Sequence, residues 1–221
     1  MRKKRKKKEF KRACPEVKTG WGDGSFETGD IVHVKGQGLL SRLIRWFSRG
    51  GGEQRTWASH SAMVLRCVGD EVEIIEAIYK VVVRPIKAYA GGKSRLLVSR
   101  RPGGLSEEEK EKMTEKAEDY QGRKYGYWKL FMHALDRIFN NRYVFRRLAG
   151  MDDYPICSWL VAYVYDRVLG VQFGGPPDAA QPDDILDHCV EKEWEFVWSD
   201  SKESVADFCG VYGLAGTAPE R

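Results

Sequence analysis

A cysteine at the first position of an apolar helix has the makings of a nucleophile, and Cys157 opens such a run, CSWLVAYVYDRVL, just after Tyr154, Pro155 and Ile156. A thiol with an ordinary pKa of about 8.5 is mostly protonated at neutral pH, so it needs a neighbouring imidazole, a helix N-terminus, or both. The unpaired amides and the dipole of a helix start would favour the thiolate. An amide of Cys157 or its neighbour would also face a developing oxyanion. A buried cysteine chosen for its size would occupy the same place, and local context does not separate the two. Among the other thiols, Cys67 sits in a strand-like run and reads as core filler, Cys14 lies in the tail, and Cys189 and Cys209 have no activating context.

The base for such a thiol is a histidine. Four are present: His33 within a strand pattern, His60 after T-W-A-S where a loop joins a strand, His133 in an aromatic stretch, and His188 in a polar late segment. His60 has the best placement, since a sheet fixes its backbone while its side chain faces a cleft, but position alone leaves the choice open. A third group should accept the second imidazole N–H. Glu76, flanked by Ile74, Ile75, Ala77 and Ile78, would meet His60 if the two runs pair as antiparallel neighbours. An edge-strand carboxylate facing water is the alternative, although its apolar flanks make that setting uncomfortable.

The elements that must position these residues can be read from pattern. DIVHVK (30–35) alternates as a strand, and residues 39, 40, 43, 44 and 47 recur at helical spacing with arginines on the other side. That segment is an amphipathic surface helix, followed by the glycine-rich break RGGGEQ. Four strand-like runs follow: SHSAMVLRCV, EVEIIEAI, KVVVRPI and RLLVSRR. The short turn signals between them, at 69–70 and 91–92, favour antiparallel neighbours. Ser106 and Glu109 form a capping box that opens a charged helix over about 107–121. Residues 123–150 are aromatic and basic and read as helical. Residues 157–169 form a helix apolar enough to require burial. A Gly/Pro-rich loop leads to a short helix and the EWEFVWSD stretch. The expected organisation is a flexible basic tail and approach loop over 1–28, a catalytic domain over 29–210, and a frayed end over 211–221.

Composition narrows the class. Hydrophobic residues make up 42% of 221, enough for a substantial core. Residues 2–12 hold nine basic residues and one acidic, and the rest of the chain holds 28 basic and 31 acidic. The net charge of +5 therefore belongs to a basic tail on a near-neutral domain. Such a tail suits an anionic membrane surface or nucleic acid, and a solvated, solubilising tail is the plainer alternative. No apolar run reaches the roughly 20 residues of a membrane helix, and no signal sequence is evident, so the cytoplasm is the simplest compartment. Five cysteines with no zinc spacing point to neither a disulfide framework nor a metal site.

Taken in order, these segments resemble the circularly permuted branch of the NlpC-like, papain-fold superfamily, the YaeF/YiiX-like enzymes. The matching landmarks are G-D-I-V (29–32), S-R-L-I-R-W-F-S (41–48), T-W-A-S-H-S-A-M-V-L (56–65), I-I-E-A-I (74–78), A-E-D-Y-Q-G-R-K-Y-G (117–126), Y-P-I-C-S-W-L-V (154–161) and Q-P-D-D-I-L (181–186). The resemblance implies an α+β, permuted papain-like fold, with a central antiparallel sheet packed on the buried helix that starts at Cys157. It implies Cys157 as nucleophile, His60 as base and Glu76 as orienting residue, with the base ahead of the nucleophile in the chain. Ser158, Tyr154 and Trp159 become the oxyanion and cleft candidates, Trp159 standing where the family often has an acidic residue. The implied activity is cofactor-free, metal-free amide hydrolysis of a peptide-like or amino-acyl substrate. Two alternatives stand beside it: a lipid-directed acyl hydrolase or acyltransferase at a membrane interface, and a non-catalytic binding module with a nucleic-acid- or partner-binding tail.

Overall fold

A computed structural model describes residues 13–21, 24–48, 56–124 and 157–214. Seven strands form one sheet in the order β1-β7-β6-β2-β3-β4-β5. They are β1 (Lys18–Thr19), β2 (Ile31–Lys35), β3 (His60–Val68), β4 (Glu71–Ala77), β5 (Val81–Pro85), β6 (Arg95–Arg100) and β7 (Glu195–Ser199). All neighbours are antiparallel except β1 and β7. The helices are α1 (Leu39–Ser48), α2 (Glu107–Glu118), α3 (Cys157–Leu169), α4 (Pro182–Glu191) and α5 (Lys202–Tyr212). The chain is thus a mixed α+β protein, as the pattern predicts.

Alternation along the strands divides the sheet's side chains between two cores. One face presents Ile31, Met63, Leu65, Ile75 and Leu97 to Trp159, Leu160, Val164 and Tyr165 of α3 and to Ile185 and Leu186 of α4. The other gathers Val32, Val34, Ala62, Val64, Ile74, Leu96 and Val98 under Ile86, Trp198, Trp21, Phe26 and Tyr89. Burial on both faces makes α3 apolar nearly all round, and eight of its residues are buried. The capping box at Ser106 and Glu109 is present, and α2 ends at Glu118, near the expected 121.

Five expectations change. Segments 71–78 and 80–86 pair as neighbours, but 95–101 does not join them. A 3-10 turn at Ile86–Tyr89 carries the chain across, and β6 pairs with β2 and β7 instead. The approach before residue 28 is part of the fold: β1 extends the sheet beside β7, Trp21 and Phe26 pack on Trp198, and Cys14 is disulfide-bonded to Cys209. That bond overturns the reading of Cys14 and Cys209 as unpaired thiols, because the fold brings the segment before β1 against α5. Cys67 is exposed rather than core, on the outer half of the β3–β4 hairpin, with its thiol donating to the Phe26 carbonyl at 3.4 Å. Finally, α5 was not expected. Ser201 caps its start, Gly213 closes it in the left-handed conformation, and Phe208 is fully buried beneath it. Residues 2–12, 125–150 and 215–221 lie outside the described residues, so the tail, most of the aromatic-basic stretch and the last residues carry no structural account.

Candidate functional site

The start of β3 is held from several directions. Ser59 Oγ accepts from the Gly36 amide at 2.9 Å and donates to the Val34 carbonyl at 3.2 Å. The Trp57 amide donates to Asp183 Oδ1 at 3.2 Å, and its indole N–H donates to Asp207 Oδ2 at 2.9 Å. The T-W-A-S and Pro-Asp landmarks therefore clamp each other, fixing the backbone that delivers His60.

Strand register then selects His60's partner. Met63 lies opposite Ile75, and continuing that pairing places Glu76 across from Ala62, one diagonal step from His60 on the same face. Diagonal neighbours are within reach of long side chains, and His60 Nε2 meets Glu76 Oε2 at 2.5 Å. The next strand repeats the offset. Glu76 lies opposite Val82, so Arg84 is its diagonal neighbour on β5. Arg84 Nε donates to Glu76 Oε1, and the Tyr89 hydroxyl donates to Glu76 Oε2 at 2.7 Å. The guanidinium stacks 4.6 Å from the Tyr89 ring centre. Glu76 is wholly buried yet bonded at both oxygens, which is what a buried carboxylate requires.

Cys157, at the first position of α3, lies close enough to the His60 ring for the two groups to couple, with the backbone amides of Ser61 and Ser158 beside its sulfur. Because Nε2 is held by Glu76, the ring presents Nδ1 to the thiol. Burial alone would lower the imidazole pKa, but the charge and hydrogen bond of Cys157, then those of Glu76, hold it up at about 10. Burial pushes the Cys157 thiol up, and the positive His60 ring, its hydrogen bond and the two amides bring it below the ordinary range. Burial likewise opposes ionisation of Glu76, yet His60, Tyr89 and Arg84 hold it at about 2. The three groups favour a thiolate, an imidazolium and a carboxylate at neutral pH. The His60 side chain is 17% exposed, whereas Cys157 and Glu76 are buried.

The remaining candidates separate. The Ser158 hydroxyl is spent on the Ala180 carbonyl at 2.9 Å, so its amide rather than its side chain faces the sulfur. Trp159 is buried in an aromatic stack, 4.7 Å from Tyr163 and 5.0 Å from Tyr120. It is a core residue and not the expected cleft wall. Tyr154 and His133 lie outside the described residues. His188 packs its ring against Phe173 and Trp194. His33 is buried against Ser99 at 2.8 Å, and burial pushes its pKa down to about 3. Arg84, Tyr89 and the Ser61 amide are the participants that the sequence did not single out. Only the β4–β5 register, which is not legible in V-V-V-R-P, would have found Arg84.

No family model matches the chain. It is similar to the uncharacterized protein YiiX of Escherichia coli (strain K12), with 27% identity over 151 residues. The match covers 67% of this chain and 61% of that protein, so less than two thirds of the relative's length is spanned. Among solved structures, the metalloprotein yiiX from Escherichia coli O157:H7 is 24% identical, covers 82% of this chain and 92% of its own, and superposes with a TM-score of 0.48.

Proposed function

We propose that this protein is a cysteine hydrolase with a circularly permuted papain-like fold, cleaving an amide bond through a thioester on Cys157. The observation that carries the proposal is the chain of contacts from the Cys157 sulfur through His60 to Glu76. The thiolate attacks the carbonyl carbon, and the displaced electron pair settles on oxygen beside the helix-start amide of Ser158. The tetrahedral species collapses, and the amine leaves with the proton from His60 Nδ1. Water then attacks the thioester and gives one proton to His60. Its hydroxyl joins the acyl group, and the thiolate returns. Glu76 keeps the imidazole oriented and its charge balanced, while Arg84 and Tyr89 hold Glu76.

The yiiX protein of Escherichia coli O157:H7 is described as a metalloprotein. Among the described residues no group of three or more His, Cys, Asp or Glu is arranged to hold a metal ion. Both Glu76 oxygens are already taken by His60, Arg84 and Tyr89.

The test is a panel of amide and ester acyl probes, read by mass spectrometry of the modified protein. The expected result is an acyl adduct on Cys157 that is missing in His60→Ala. Adducts confined to other residues across the whole panel would overturn the reading.

A further inference from the structure

Three consecutive residues of α5 stand between the crosslink and the strand start that carries His60. Asp207 Oδ2 accepts the Trp57 indole N–H at 2.9 Å. The Phe208 ring meets the Trp57 ring edge-on, with centres 6.1 Å apart. Cys209 is bonded to Cys14. Trp57 is wholly buried and lies three residues before His60.

Asp207 is where these elements converge. Lys35 Nζ reaches the same Oδ2 at 2.6 Å and Arg95 Nη1 at 3.0 Å, from the end of β2 and the start of β6. Burial works against the Asp207 charge, but the two cations hold it ionised. Their long side chains can follow a small movement of the helix, whereas an indole packed in the core cannot. A shift of about 1 Å would stretch the Trp57 bond past hydrogen-bond length. The segment before β1 meets β7 over only two residues, Lys18 and Thr19, which is a weak anchor alone. The crosslink fastens that segment to α5. The helix keeps other holds, through Phe208 on Phe196 and the Tyr212 hydroxyl on Asp187, so opening the crosslink would shift it rather than release it.

We propose that the Cys14–Cys209 bond is a redox switch for the candidate site. Closed, it keeps α5 on Trp57 and His60 against Cys157; opened, it lets α5 relax and loosens that contact. As regulation of the same site, this rests on the reading of Cys157 and His60 as nucleophile and base. Opening is thiol–disulfide exchange with a dithiol reductant. Cys14 is half-buried and Cys209 buried, so a reductant thiolate attacks the Cys14 sulfur and Cys209 leaves as a thiolate. The second reductant thiol then resolves the mixed disulfide. Two electrons and two protons pass to Cys14 and Cys209, and the reductant departs as its own disulfide.

The test needs no substrate. The full chain, oxidised or reduced with a water-soluble phosphine that is then removed, is alkylated with iodoacetamide across pH. Peptide mass spectrometry follows the adduct on Cys157. The charge that lowers the Cys157 thiol is that of His60, so reduction should raise the midpoint of the rate profile by about one unit. Below the midpoint, that is about a tenfold fall in thiolate. Re-oxidation should restore the first profile. Cys14→Ser/Cys209→Ser should match the reduced protein and ignore the phosphine. Trp57→Phe, which keeps a ring and removes the N–H, should raise the midpoint with the crosslink intact. An unchanged midpoint on reduction overturns the switch, and an unchanged midpoint in Trp57→Phe overturns the route through α5. Loss of the cooperative melting transition on reduction also overturns it, since the bond would then be a staple of the fold. A midpoint that shifts in a protein that cleaves no acyl probe would support the coupling of α5 to Cys157 while sinking the hydrolase reading.

Discussion

The sheet holds two histidine–cysteine groups built from the same residue types and driven to opposite states. His60 on β3 lies between Cys157 and Glu76 and carries its proton up to about pH 10. His33 on the adjacent β2 bonds Ser99, whose hydroxyl reaches Cys189 at 3.4 Å. There burial alone takes His33 down to about 3, and burial together with the negative charge of Asp187 takes Cys189 up to about 12. Both thiols are buried. The difference is a carboxylate held by Arg84 and Tyr89 on one side, and the amides of Ser61 on β3 and Ser158 at the start of α3 on the other. Nucleophilicity in this fold comes from the partners of the thiol, not from its depth. The neutral group also leaves polar atoms over: among the described residues, His33 Nδ1 and the Ser61 hydroxyl, on residues directly opposite in the β2–β3 pairing, have no hydrogen-bond partner.

The sharpest break between the groups should appear in turnover. Cys157→Ala is expected to lower kcat at least about a thousandfold, whereas Cys189→Ala should leave it within about threefold because that thiol stays protonated at neutral pH. Comparable losses from both, measured on an acyl probe cleaved by wild type, would erase the distinction.

The pH dependence of stability should separate the histidines by sign. In the unfolded chain both titrate near 6.5. His60 binds its proton more tightly when folded, so its contribution is full below about 6.5 and is lost as pH rises through about 10. His33 resists protonation when folded, so the unfolded state holds more protons between about 3 and 6.5 and stability falls as pH drops through that window. Glu76 adds to the acid side, its contribution fading as pH falls from about 4.3 towards 2. Thermal melts across pH should therefore show a flatter alkaline limb in His60→Gln and a flatter acid limb in His33→Gln. Identical profiles for the two variants would contradict the assignment.

A smaller effect is expected one residue away from the imidazole. Tyr89→Phe removes one hydrogen bond to Glu76 and should lower kcat by roughly tenfold, consistent with about 1–2 kcal/mol for a bond to a charged group. Because Tyr89 acts through Glu76, the same variant should also bring the alkaline limb of the rate profile down from about 10. An unchanged limb would make Tyr89 only a packing residue.

Much of this arrangement was legible in the sequence because its signals are local. Alternation gave the strands from 31 to 100, the Ser106–Glu109 spacing gave the start of α2, and the apolar run gave α3 with Cys157 at its head. What was hidden depended on long-range register. Arg84 joins Glu76 only because β5 is offset on β4 as β4 is on β3, and the placement of β6 beside β2 follows from a 3-10 turn that a Gly-Gly pair disguised as a hairpin.

The bond between Cys14 and Cys209 spans 195 residues of sequence, and so nearly closes the chain into a ring. A protease nick in any loop between them would yield two pieces that stay one covalent molecule. Such a nicked protein would run as a single species on a non-reducing gel and fall into fragments only when a thiol reductant is added.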